Sequence, residues 1–125
     1  MVNLILFRSS VFLGICHFMI PIFTKVSYFD KLMILYYFGI VTSLWNHGTT
    51  SSMAKWSDRV VMYVGCLSDF LFCLHHLVFC PFLLIYVTCY ILAKCEQKNG
   101  FHITTHVVAT GLHCFRAAVA VAVTC

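Results

Sequence analysis

Ser43 and His47 stand four residues apart, and so do His102 and His106. Four residues is close to one helical turn, so each pair shares one helix face, and two such faces together offer three imidazoles to a single ion. Zinc suits that donor set. It takes histidine nitrogens at about 2.0–2.1 Å, and a catalytic site leaves the fourth position to a water whose pKa falls to about 7. Asp58 is then the acid that accepts or orients that water's proton, and Ser43, one turn from His47, can hydrogen-bond a substrate carbonyl or the water. The plainer alternative is a set of interfacial histidines with satisfied hydrogen bonds, because a single H-x-x-x-H spacing recurs by chance. For the zinc reading, His47, Asp58, His102 and His106 must arrive at one place from three different helices.

Composition says what those helices are. Of 125 residues, 62% are hydrophobic and 10% charged, with a mean hydropathy of +0.94, whereas a soluble domain is about half apolar and about a quarter charged. The chain is expected to be an integral, multi-pass membrane protein with the lipid bilayer as its solvent. In lipid the apolar surface need not be buried, so 1–125 forms a single transmembrane helical domain. A β-barrel would alternate apolar and polar residues over roughly ten-residue segments. The run from Phe79 to Val87 does not alternate, so the fold class is all-α, a polytopic transmembrane helix bundle.

The net charge of +4 does not mark a nucleic-acid partner. Lys25, Lys31, Lys55, Arg59, Lys94 and Lys98 sit at the edges of apolar runs, as interfacial anchors do, and form no single basic face. The eight cysteines include no C-x-x-C and read as small apolar residues. No Walker loop, dinucleotide-binding glycine pattern or G-x-S-x-G elbow is present, so nucleotide-dependent and serine-hydrolase chemistry have no support.

Five helices follow, at about 2–23, 31–47, 59–75, 78–93 and 101–123, with a polar loop from Gly48 to Ser57. The first carries Arg8 and ends in Pro21 and Lys25 without a small-residue cleavage site, which marks a retained span and not a signal peptide. From Arg59 to Ala93 the chain is apolar for about 52 Å of helix, against a hydrocarbon core of ~30 Å. It must fold back once, around His75 to Pro81, where the paired histidines prefer an interface and proline favours a new first turn. Two crossings there return the chain to the side it left. His47 closes the second helix, Asp58 opens the third, and His102 and His106 open the fifth, all on one membrane face. That face also carries Lys55, Arg59, Lys94 and Lys98 against Lys25 and Lys31 on the other, a mild bias placing it toward the cytoplasm.

The pattern Ser43-Leu-Trp-Asn-His47, ten residues, Asp58, then His102-Ile-Thr-Thr-His106-Val-Val-Ala-Thr-Gly111 resembles the CREST superfamily of seven-helix membrane hydrolases. That group includes alkaline ceramidases, progestin and adipoQ receptors and GPI-anchor remodelling proteins. The resemblance covers about Tyr36 to Tyr63 and Gly100 to Phe115. It implies that His47, His102 and His106 hold Zn2+, that Ser43 and Asp58 sit beside the metal-bound water, and that the substrate is a membrane lipid. With five helices in place of seven, the chain is expected to be a shortened member, with oligomerisation or partner subunits replacing the missing walls.

Asp69 competes for the role of acid, and the Asp69-Phe70-Leu71 run resembles the transmembrane-8 branch of the same superfamily. It lies eleven residues beyond Asp58, about 16 Å deeper along a helix, which favours Asp58. His113 shares the His106 face but lies about 10 Å further in, as a pocket-lining or packing residue. His17, His75 and His76 read as structural, and Arg116 either snorkels or pairs with Asp69. The expected function is a zinc-dependent hydrolase cleaving an amide or ester bond of a lipid. Two other functions use the same features: a non-catalytic membrane subunit or degenerate relative, and a haem or quinone anchor with paired histidines.

Overall fold

In a computed structural model the chain is described over residues 2–124, with side chains over 2–122. The fold is all-α: α1 (Leu4–Thr24), α2 (Lys31–Gly48), α3 (Ser52–His75), α4 (Cys80–Glu96) and α5 (Asn99–Thr124), with one 3-10 turn at Leu77–Phe79. Three segments, Leu4–Thr24, Leu77–Glu96 and Asn99–Ala122, are long and apolar enough to cross a membrane.

Local chemistry sets the boundaries. Asn3 caps α1 by accepting from the Leu6 N–H, Asp30 caps α2 through the Leu32 N–H, and Ser51 caps α3 through the Ala54 N–H. Each supplies an oxygen to an amide that the helix itself leaves unbonded. Lys25 and Gln97 end α1 and α4 in the left-handed region, at φ 63° and 54°, each returning its N–H to the carbonyl four residues back. The fold-back in the long apolar stretch falls between His75 and Cys80, with Pro81 in the first turn of α4. The loop expected over Gly48–Ser57 is much shorter. Ser51 is a helix cap and not a loop residue, so α3 begins at Ser52 and Asp58 lies nearly two turns inside it instead of opening it.

Packing runs α1–α2–α3–α4–α5 and back to α1, a closed ring in which each helix touches its neighbours in sequence and the last touches the first. The α3–α4 seam is the sparsest of these pairings. At one point of the α1–α2 seam a Cβ on Gly14 would stand 2.9 Å from Ile40 Cγ2, so glycine sets how closely those helices approach. The ring is apolar outside, and inside it polar side chains are buried among apolar ones such as Met33, Cys73 and Leu112. Phe12, Phe18, Phe23, Leu67 and Leu84 face outward, while Ser10, His17, Ser43, His47, Asp69 and Thr105 are buried. Water would favour the reverse; lipid favours this. Thr24, Thr42, Thr105 and Thr110 satisfy their hydroxyls on carbonyls four residues back in their own helices, so they carry no unpaired hydrogen into the apolar layer.

Candidate metal centre

His47 lies in the last turn of α2, and His102 and His106 occupy the first two turns of α5. Asn3 holds those two helix ends together. Its backbone N–H donates to the His47 carbonyl at 3.2 Å, and its side-chain amide donates to Asn99 Oδ1 at 3.0 Å. The three imidazoles then meet edge to face, with ring centres 5.0 Å apart for His47–His102 and 4.5 Å for His102–His106. One ring nitrogen from each lies within 4.8 Å of the other two, a group that could hold a metal ion.

The donor set fits such an ion on one further observation. His47 is buried, and its Nε2 has no hydrogen-bond partner, as is also true of the buried Tyr36 Oη, Tyr37 Oη and Arg116 Nε. A buried polar atom left unpaired costs about 1–3 kcal/mol, and native structures rarely carry one without a reason. Nitrogens at about 2.0–2.1 Å on a tetrahedron stand about 3.3 Å apart, so the three rings must draw inward, and no hydrogen bond at His47 Nε2 resists that movement.

A cavity of about 450 Å³ runs inside the helix ring, lined by side chains from all five helices. His102, His106, Ser43 and Asp58 line it, with Leu35, Ile40, Val61, Met62, Val87 and Ile91 among its apolar walls. Neither Ser43 nor Asp58 bonds directly to an imidazole among the described residues. Ser43 Oγ lies 2.9 Å from Ser10 Oγ on α1. Asp58 accepts from Asn46 Nδ2 at 2.8 Å and from Thr42 Oγ1 at 3.5 Å, both on α2. The carboxylate is therefore fixed by the same helix that carries His47.

Farther down the cavity a second polar cluster appears. Asp69 accepts from Tyr86 Oη at 2.7 Å, from Arg116 Nη1 at 2.7 Å and from His113 Nε2 at 3.2 Å. His113 Nδ1 lies 2.8 Å from His17 Nε2, and His17 Nδ1 lies 2.8 Å from the Leu13 carbonyl. Tyr36 stacks on His113 at 3.8 Å between ring centres. Asp69 is thus fully engaged by its own neighbours, and Arg116 pairs with it instead of snorkelling. Reading His17 as a remote structural residue missed its partner on α5. The available signal was the spacing of His106, His113 and Arg116, seven and three residues apart, which puts a cation beside His113 on the cavity face. His75 and His76 stand at the α3–α4 turn, with His76 stacked on Phe72.

Comparison of the chain with protein-family models, curated proteins and solved structures finds no match.

Proposed function

We propose that this chain is a zinc-dependent integral membrane hydrolase that cleaves an amide or ester bond of a lipid, with all five helices crossing the bilayer. We read it as a shortened relative of the CREST superfamily. The observation that carries the proposal is the convergence of His47, His102 and His106, with a buried and unpartnered nitrogen on His47, beside a cavity that His102, His106, Ser43 and Asp58 line.

His47, His102 and His106 would hold the ion. Zinc, when bound, supplies a Lewis acid for the scissile carbonyl and acidifies a coordinated water. The remaining work falls to the chain itself. Asp58, fixed by Asn46 and Thr42, takes the proton released as water adds to the carbonyl carbon and returns it to the departing nitrogen or oxygen as that bond breaks. Ser43, supported by Ser10, donates its hydroxyl to the carbonyl oxygen as charge develops there. Leu35, Ile40, Val61, Met62, Val87 and Ile91 give an acyl chain an apolar bed, and the sparse α3–α4 seam offers it a lateral way in from the bilayer.

The test is metal analysis of the detergent-purified protein beside His102→Ala, with hydrolysis of a fluorescent ceramide and a fluorescent acyl ester measured on the same samples. Stoichiometric zinc lost in the variant together with turnover is the expected result. No zinc in either sample ends the reading, and zinc without turnover of either lipid ends its catalytic half.

A further inference from the structure

The second cluster contains a proton count that the metal reading does not use. Three hydrogen bonds run in series: Leu13 carbonyl to His17 Nδ1, His17 Nε2 to His113 Nδ1, and His113 Nε2 to Asp69 Oδ2. The carbonyl can only accept, and an ionised carboxylate can only accept. Three bonds require three protons, and two neutral imidazoles carry two. The series is complete only when one further proton is present, on an imidazole or on the carboxyl.

We infer that His17, His113 and Asp69 form a proton-binding site inside the helix ring that takes up one proton and shares it along the series. With Nδ1 of His17 bonded to Leu13, the third proton has three places. It makes His113 the imidazolium; or, with the His113 Nδ1 proton moved to His17 Nε2, it makes His17 the imidazolium; or it rests on Asp69 Oδ2, leaving both rings neutral. All three arrangements contain the same protons and the same net charge, so passing from one to another moves hydrogens only within hydrogen bonds. Removing the extra proton leaves two protons for three bonds, and one bond must open. Two of the three join different helices, α1 to α5 and α5 to α3, so proton release loosens the packing around the cavity.

The surroundings suit such a site. Arg116 on α5 stands 2.7 Å from Asp69 Oδ1 and leaves Oδ2 to Tyr86 and His113. The other titratable groups facing the series are Tyr36 on α2, Tyr86 on α4, and Cys66 and Cys73 on α3, with His106 next along the cavity. His17, Asp69 and His113 all line the cavity, so the proton can exchange with whatever occupies it. None of the three is a proposed zinc ligand, and the inference stands whether or not the imidazoles at the other end bind metal.

The experiment is nitrogen-15 NMR of histidine-labelled wild type in nanodiscs across its pH range of stability, with infrared difference spectroscopy of the Asp69 carboxyl on the same samples. The signals of His17, His113 and Asp69 that change are expected to share one midpoint, a single proton entering, and the two rings to show scalar coupling across their hydrogen bond below it. His17→Phe removes two of the three bonds and the need for the extra proton, so His113 there should lose the shared midpoint while the protein keeps its helical circular dichroism. His47→Ala should leave the His17–His113 transition in place. Separate midpoints for His17 and His113 in wild type, or rings that each keep one neutral tautomer throughout while Asp69 stays ionised, overturn the inference.

Discussion

Two groups of histidines stand inside one helix ring, and they differ in how the protein satisfies their ring nitrogens. At the end near Asn3, His47, His102 and His106 meet ring to ring, and His47 Nε2 is buried without a partner. Farther along, every nitrogen of His17 and His113 is engaged, and the Asp69 carboxylate takes hydrogen bonds from three side chains. Both groups are built from the same residue type and enclosed by the same helices. The difference lies in the histidine nitrogens and not in overall satisfaction, because Tyr36 Oη and Arg116 Nε beside the second group are also buried without a hydrogen-bond partner. On the two proposals above, the first group takes an ion and the second a proton.

The contrast can be broken most severely at its first pole. Replacing His102 by Ala should abolish both bound zinc and lipid hydrolysis, whereas His17→Phe should leave the zinc stoichiometry unchanged; metal analysis of both variants reads the difference directly. At the second pole, Arg116→Leu leaves Asp69 buried without its cation, and breaking such a pair costs about 3–5 kcal/mol. Thermal unfolding in detergent should show that loss of stability, with less effect from a ligand-histidine variant. Asn46→Ala sharpens the comparison within the first pole, because it frees Asp58 without touching an imidazole. Outer partners of a metal site are worth about 10–100-fold in affinity or activity, so turnover should fall by that order while helical content is retained. Gly14→Ala should cost about 1–3 kcal/mol by pushing Ile40 away and widening the α1–α2 seam, and it should disturb both poles alike.

Much of this arrangement was legible in the residues. Hydropathy and the length of the Arg59–Ala93 stretch require a fold-back, and the fold-back brings the end of α2 and the start of α5 to one side. The four-residue spacings then put His47, His102 and His106 within reach of one another. Two things were not legible. Ser51 as a cap depends on the backbone turning there, and the Ser/Thr-rich composition around it reads equally well as a loop, so α3 was placed seven residues too late. The pairing of His17 with His113 joins residues 96 apart, and no local spacing encodes which face of α1 meets α5; that follows from closure of the ring. Asp69 and Arg116 carried a partial signal, since an acid and a base inside apolar runs tend to find each other.

The Asn3 clasp bears on how the molecule is made. Asn3 joins the carbonyl of His47 and the side chain of Asn99, so a residue synthesised earlier than both waits for a partner 96 positions later. At about 5–20 residues per second that wait lasts about 5–20 s. Through that interval α5 is absent, Asp69 has neither His113 nor Arg116, and His17 lacks its hydrogen bond to His113. α5 therefore completes both polar groups at once. Translation that stops before residue 99 leaves Asp69 with Tyr86 alone of its three side-chain partners and with no cation beside it.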